Sequence, residues 1–238
     1  MTASKLFALI TLILFLSACG SDSKNITLPD CPEPDNSSDT ISESDLCGKA
    51  FIDDLGDDTY VIFSFFSDMT FEFTGNDDND SRLASVTSGT WAVVNNEVIV
   101  YLADETLTFR ESAIEQGQYC FQLPEDDVSH IRHCAVEAIQ PSLSDLTKEF
   151  YYEDCPFCSI EFFANNTGAT NGDENDGSSF SFSWSFQGDG TISIVYDRAL
   201  GSNKFFFTEQ DSEKISFISL NDYADEAPYM DSNVLFIK

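Results

Sequence analysis

Alternating apolar and polar positions cover much of the chain after Cys47. The clearest example is the run 179–186, where Phe180, Phe182, Trp184 and Phe186 take every second position and serines stand between them. Because successive side chains of a β-strand point to opposite faces, this run predicts a strand with one aromatic face and one small polar face. With this strand included, runs rich in aromatic and β-branched residues predict strands at 59–66, 69–74, 87–94, 97–102, 105–110, 118–123, 159–164, 178–187, 191–197, 204–208, 214–220 and 234–238.

Turn residues separate these runs at short intervals. Asn95-Asn96 and Gly188-Asp189-Gly190 stand between consecutive strands, and both turns contain residues that tolerate positive φ. Short connections of this kind join antiparallel neighbours. The sequence therefore predicts an all-β fold, an antiparallel barrel or sandwich of about ten strands. The two halves of the chain share this style of short strand, but no period aligns one half with the other.

One segment between the halves shows a helical period instead. Residues 126–139 begin with acidic residues and are followed by Pro141, as is typical of a helix. Their apolar side chains recur at helical spacing: Val128, Ile131, Ala135, Val136 and Ile139. The pattern predicts one short helical insertion, and a second helical turn at 144–150 is compatible with it.

The N-terminal segment has the features of an export signal. Lys5 precedes an apolar run over 6–16, which is too short to span a bilayer, and small residues stand before Cys19. The tetrapeptide Leu16-Ser17-Ala18-Cys19 resembles the lipobox of bacterial lipoproteins. In that family the cysteine is lipidated and becomes the first mature residue, so the resemblance implies lipidation of Cys19 and anchoring to a membrane. Gram-negative lipoproteins kept in the inner membrane tend to carry Asp after the cysteine. Gly20 at that position therefore favours the outer membrane.

These features divide the chain into three parts. Residues 1–18 are expected to form the signal peptide. Residues 19–45 are rich in Ser, Asp, Asn and Pro and predict a flexible tether. Residues 46–238 are expected to form one β-rich domain, which is long enough to bury a hydrophobic core.

The cysteines indicate disulfide bonds. The chain has seven, and an even number remains once Cys19 is assigned to lipid. An even number of cysteines in an exported chain is typical of a disulfide framework. The sequence does not choose among the possible pairings, of which the pairing of chain neighbours is one. The candidates are Cys31, Cys47, Cys120, Cys134, Cys155 and Cys158.

Acidic residues outnumber basic ones by 42 to 11, which gives a formal net charge of −31. Such a surface repels phosphate backbones, so nucleic acid is excluded as a partner. The acidic loops 76–80 and 171–177 offer oxygen ligands of the kind that calcium takes. Neither loop has the ligand spacing of an EF-hand. A solvated acidic surface is the simpler interpretation, and no metal site is predicted.

Two short motifs suggest chemistry but lack its usual context. Cys155-Pro156-Phe157-Cys158 resembles the redox dithiol of thioredoxin-fold oxidoreductases. That chemistry needs a helix after the first cysteine, whereas the following residues predict a strand, so a structural disulfide is favoured. His130 and His133 stand beside Cys134, but a zinc site needs three or four ligands. The sequence predicts no cofactor and no enzymatic activity.

Residues 89–100, Gly-Thr-Trp-Ala-Val-Val-Asn-Asn-Glu-Val-Ile-Val, resemble a hairpin of bacterial lipocalin-like lipoproteins. The resemblance implies a barrel that holds an apolar ligand. We therefore expect a lipid-anchored envelope protein that binds a small apolar ligand or an envelope protein partner without catalysing a reaction. Phe182 and Trp184 are the candidate ligand contacts. The alternatives are a structural surface-coat lipoprotein without a small-molecule ligand and an envelope hydrolase that uses a carboxylate pair.

Overall fold

The computed structural model describes residues 31–32, 40–56, 59–77, 80–123, 132–153, 155–172, 179–197, 201–223 and 227–237. The predicted signal peptide, Cys19, most of the predicted tether and His130 lie outside these ranges. The elements follow in chain order as α1 (Glu43–Leu46), β1 (Lys49–Gly56), β2 (Thr59–Phe65), β3 (Thr70–Asp77), β4 (Asp80–Val94), β5 (Glu97–Leu102), β6 (Thr106–Glu115), β7 (Gln118–Gln122), β8 (His133–Glu137), α2 (Leu143–Leu146), β9 (Glu149–Tyr152), β10 (Cys155–Phe162), β11 (Thr167–Asn171), β12 (Ser179–Phe186), β13 (Ile192–Tyr196), β14 (Gly201–Gln210), β15 (Lys214–Tyr223) and β16 (Tyr229–Ile237).

The strands close into two antiparallel barrels of eight strands each. β1 to β8 pair in chain order, and the pair Ile52 and Val136 joins β8 back to β1. β9 to β16 repeat this plan, and the pair Tyr151 and Phe236 joins β16 back to β9. The predicted all-β fold is confirmed, with sixteen strands in place of about ten. The range predicted as one domain, 46–238, contains both barrels.

The helical prediction for 126–139 is wrong over its described part. His133–Glu137 is strand β8, and it pairs with both β7 and β1. Ala135 points into the barrel and is fully buried, whereas Val136 points outward toward the second barrel. Apolar residues on both faces of one strand produce a spacing that imitates a helix. In the described residues the helices are α1 and α2, of four residues each, and α2 overlaps the turn expected at 144–150.

The two barrels share one plan at the level of individual hydrogen bonds. α1 and α2 each belong to a Ser-x-Ser-Asp-Leu segment. Ser42 and Ser142 stand before these helices, and each hydroxyl donates to the carboxylate of the aspartate three positions later, at 2.7 and 2.5 Å. Leu46 and Leu146 end the two helices as buried members of the two barrel cores.

The tryptophans of the two barrels are also equivalent. The main-chain N–H groups of Trp91 and Trp184 donate to positive-φ turn residues, Met69 and Asn166, both at 3.0 Å. Each indole N–H donates to the carbonyl of the first residue of that same turn, at 3.4 and 3.3 Å. Agreement in the helices, the turns and the strand order indicates that one barrel unit occurs twice in the chain.

The barrels lie side by side with their helix-bearing ends together. The Ser67 N–H donates to the Gly188 carbonyl across this end, at 3.3 Å. Ile139 N donates to the Phe207 carbonyl at 2.7 Å, where the chain crosses to the second barrel. A shared apolar cluster forms from outward-facing residues of both barrels: Ala50, Ile52, Ile62, Phe206, Ile218, Leu220 and Met230. Burial of these side chains favours a fixed arrangement of the two barrels.

The cysteines pair with their chain neighbours, which the sequence left as one of several options. Cys31 bonds to Cys47 beside α1, with Cα atoms 5.7 Å apart. Cys120–Cys134 links β7 to β8, and Cys155–Cys158 lies within β10, with Cα separations of 4.1 and 5.1 Å. No helix of the described residues is both long and apolar enough to cross a membrane.

Candidate binding sites at the barrel mouths

Each barrel has a closed end and an open end. In the first barrel, α1 covers one end, where Ile41 N donates to the side chain of Asn96 in the β4–β5 turn at 2.7 Å. The opposite end contains a cavity of about 290 Å³, which we call the first mouth. Its lining is mostly aromatic and aliphatic: Leu55, Val61, Phe63, Phe73, Leu107, Phe109, Phe121 and Leu123, with Asp53, Glu105 and His133.

A cluster of phenylalanines forms the floor of the first mouth. The Phe63 ring makes edge contacts with Phe73, Phe109 and Phe121, with ring centroids 5.5, 5.8 and 5.1 Å apart. Perpendicular arrangements of this kind are preferred between aromatic rings and fix their orientation. The floor is therefore a preformed apolar surface.

One polar pair lies beside this apolar surface. The His133 Nδ1 lies 3.4 Å from the Asp53 Oδ2, and both side chains are only partly exposed. The imidazole also stacks on Phe121, with centroids 5.6 Å apart and planes at 21°. Small-molecule sites usually combine an apolar wall with a few positioned polar groups, and this mouth has that composition.

The second barrel opens at the equivalent end. Its cavity, the second mouth, has a volume of about 170 Å³. The lining is mainly polar: Tyr152, Tyr196, Asn203, Ser219, Asn221, Tyr229, Asp231 and Asn233, over Phe205 and Phe217. The two barrels thus have the same architecture, but the first mouth is lined mainly by apolar side chains and the second mainly by polar ones.

Phe182 and Trp184, the predicted ligand contacts, lie in the core of the second barrel. Both are almost fully buried. The Trp184 indole donates to the Phe163 and Thr167 carbonyls at 3.3 and 3.0 Å, and the ring packs against Phe162. Neither residue is among those that line the two mouths. Their role as ligand contacts stays a prediction.

Sequence reasoning did not identify the side chains that line the mouths. The predicted strands contain Phe73, Leu107 and Phe121, but alternation reveals only which face of a strand points inward. Which end of a barrel is open depends on ring closure and on the position of α1, and both involve contacts between residues far apart in the sequence. The repeated Ser-x-Ser-Asp-Leu segment was a signal of the closed ends.

The other chemical motifs have structural roles in the described residues. Cys134 is bonded to Cys120 and is therefore not a metal ligand beside His133. Cys155 and Cys158 are bonded to each other within a strand, away from any helix N-terminus. The part of the chain that the structure describes contains no group of three His, Cys, Asp or Glu side chains able to hold a metal ion. Both acidic loops, 76–80 and 171–177, extend beyond the described residues.

Comparisons with known proteins give no match. No protein-family model fits the sequence, and neither a curated protein nor a solved structure is similar to it at a significant level.

Proposed function

We propose that this protein is a non-enzymatic binding module that holds a small apolar ligand in the first mouth. The observation that carries the proposal is the cavity of about 290 Å³ over a floor of phenylalanine rings. This volume is close to the lower limit of ordinary small-molecule sites, about 300 Å³. Closed barrels of eight strands are just wide enough to hold one small ligand, as lipocalins do, and the topology therefore supports the proposal.

The charges around the first mouth disfavour an anionic ligand. Asp53 and Glu105 lie in its lining, and the whole chain carries a formal charge of −31. An anionic ligand would be repelled by both. The apolar floor gains most from burying hydrocarbon or aromatic surface, at about 25 cal/mol for each Å² removed from water.

The anchor at Cys19 completes the proposal. A lipid on this residue, inserted in the outer membrane, would make the protein an envelope-bound carrier. Several acyl chains on one residue give durable attachment. Replacing Cys19→Ser and exporting the protein through an ordinary cleavable signal peptide should move it from the membrane fraction to the soluble fraction. Retention of the variant in the membrane would refute the lipid anchor, and the same variant supplies the soluble protein for binding measurements.

The binding proposal is tested with the neutral fluorescent probe N-phenyl-1-naphthylamine. We expect saturable fluorescence enhancement with the soluble protein and at least a tenfold loss of affinity in Leu107→Asp, because a carboxylate then faces the apolar floor. Val86→Asp is the matched control. Val86 lies on the outside of β4 and is 44% exposed, so this variant adds the same charge away from the mouth.

Equal affinity in the two variants would place the probe elsewhere and contradict the proposal. A folded soluble protein that binds no probe, and that carries no extra mass in native mass spectrometry, would support the structural surface-coat alternative instead.

A further inference from the structure

The second mouth has polar side chains where the first mouth has apolar ones. Leu107 pairs with Val100 in the first barrel, and Asn203 pairs with Ile194 on the equivalent strands of the second. In the same way His133 pairs with Phe121, and Asn233 with Phe217. The duplicated unit has kept its aromatic floor and changed the chemistry above it.

The polar side chains of the second mouth form an ordered set. The Asn203 Nδ2 donates to the Tyr196 hydroxyl at 3.4 Å. The Ser219 hydroxyl accepts from the Asn221 and Asn233 side-chain amides, at 3.1 and 3.3 Å. These contacts fix the direction of several donors and acceptors around one small space, as a selective site requires.

One acceptor in this set has no partner. The Asn203 Oδ1 is buried and makes no hydrogen bond within the described residues, and the whole residue is only 6% exposed. Buried carbonyl oxygens are almost always paired, because leaving one unpaired is unfavourable. Since Asn203 lines the cavity, a group that donates from the cavity would satisfy this oxygen.

The floor beneath the polar set is aromatic. The Phe205 and Phe217 rings lie 4.4 Å apart between centroids, with their planes at 34°. Both residues are buried and belong to the core of the second barrel. The two rings therefore close the mouth from below, and a ligand meets mainly the hydrogen-bonding groups around it.

Charge and size restrict the ligand. Among the residues that the structure describes, the lining contains no Lys, Arg or His and one acidic residue, Asp231, so an anion is disfavoured. An alkylammonium group offers donors only, so it would leave the donors of the asparagine, serine and tyrosine side chains without an acceptor. Hydroxyl groups both donate and accept. At about 30 Å³ for each water molecule of the liquid, 170 Å³ corresponds to about five or six waters.

We propose that the second mouth binds a neutral polyhydroxylated ligand of about the size of a monosaccharide. Its hydroxyl groups would donate to the Asn203 Oδ1 and bond to the asparagine and tyrosine side chains. This site is distinct from the first mouth and does not depend on the function proposed for it.

The test is nuclear magnetic resonance on the ¹⁵N-labelled soluble protein, with D-glucose and myo-inositol as probes. We expect at least one of them to cause saturable shifts of the Asn203 and Asn233 side-chain amides. Asn203→Leu, which introduces the residue found at the equivalent position of the first barrel, should weaken binding at least tenfold. Gln187→Leu is the matched control, since it removes an amide at the closed end of the same barrel. Main-chain spectra of both variants report whether the fold is kept.

Three results would overturn the proposal. The first is that neither polyol shifts these amides, which would leave a mouth filled by water alone. The second is that folded Asn203→Leu binds as tightly as the unmodified protein. The third is that ethylammonium or acetate, used as charged probes, binds the second mouth more tightly than either polyol.

Discussion

Tyr119 places a phenol in the aromatic core of the first barrel. Its ring stacks on Phe121 with centroids 4.9 Å apart, and its hydroxyl lies 3.2 Å from the Ser112 Oγ. The Ser112 hydroxyl itself donates to the Phe109 carbonyl at 2.7 Å, so it is free to accept from the tyrosine. Burial raises the pKa of Tyr119 above its usual value, and the hydrogen bond to Ser112 opposes this only in part.

This raised pKa predicts a loss of stability in alkali. Above pH of about 10 the unfolded chain releases the Tyr119 proton, but the folded chain retains it. The free energy of unfolding should then fall by up to about 1.4 kcal/mol for each pH unit, until the folded state also ionises. Below that pH the contribution is fully present. Tyr119→Phe should remove this part of the alkaline dependence, as measured by urea unfolding across the pH range.

The control for this prediction is Tyr101→Phe, because Tyr101 is 46% exposed. Its replacement should leave the alkaline slope almost unchanged. An equal slope in the unmodified protein and in Tyr119→Phe would show that the phenol is accessible to water. At neutral pH the loss of one hydrogen bond in Tyr119→Phe should cost about 1 kcal/mol.

At the scale of the strands, one cross-strand pair in each barrel shows how the interior makes room for large aromatic side chains. Phe71 on β3 pairs with Gly89 on β4. At the equivalent place in the second barrel the members are exchanged, because Gly168 on β11 pairs with Phe182 on β12. In each barrel one large ring therefore lies opposite a residue without a side chain.

A double-mutant cycle tests the second of these pairs. A Cβ atom on Gly168 would overlap the Phe182 ring and the Glu161 carbonyl, so Gly168→Ala should destabilise the protein by about 1–3 kcal/mol. Phe182→Ala should cost about 3–5 kcal/mol through the cavity it leaves. The double variant should lose less than the sum of the two, since the ring contact is then absent. Chemical unfolding of the four proteins measures this coupling, and strict additivity would contradict it.

At the same scale, sequence patterns located most strands, but they misassigned β8 and did not reveal the duplication. Alternation marked the run from Phe180 to Phe186, because a strand with one buried face repeats every second residue. The spacing around Ala135 was misleading because β8 carries apolar residues on both faces. The duplication is hidden in the sequence because the distance along the chain between equivalent residues is not constant. Leu46 corresponds to Leu146, but Trp91 corresponds to Trp184, so turns of unequal length shift the alignment along the chain.

For the whole molecule, one lysine connects the two barrels. The Lys204 Nζ on β14 lies 2.9 Å from Asp189 of its own barrel and 3.2 Å from Glu72 of the other. The same ammonium group lies 4.9 Å from the centre of the Phe66 ring, which also belongs to the first barrel. The Asp189 side chain is fully buried and faces this ammonium group.

Removing this lysine should weaken the interface strongly. Lys204→Ala leaves Asp189 as a buried charge without its partner, and such a change costs about 3–5 kcal/mol. Lys49→Ala is the control. Its partner Glu137 lies 3.1 Å away at a much more exposed position, where an ion pair contributes about 0–1 kcal/mol. Urea unfolding of both variants distinguishes the two contacts, and equal small losses would show that water screens Lys204.

The same experiment examines how the barrels unfold. The unmodified protein should unfold in one transition, because the apolar cluster around Ile218 and Phe206 joins the two cores. Two separate transitions in Lys204→Ala would show that each barrel unfolds independently once this contact is lost. Sequence patterns gave no indication of this contact, since Lys204 and Glu72 are 132 residues apart in the chain.

The disulfide between Cys31 and Cys47 determines where the N-terminal part of the chain joins the first barrel. It fastens the chain at the closed end of the first barrel, and the closed end of the second barrel lies beside it. Fully extended, the dozen residues from Cys19 to Cys31 reach about 40 Å. With a lipid on Cys19, the predicted tether would attach the molecule to the membrane at the closed ends of the barrels. The acidic surface of the protein would be repelled by anionic headgroups. Both mouths would then open on the side away from the tether, and their ligands would reach them from the aqueous phase.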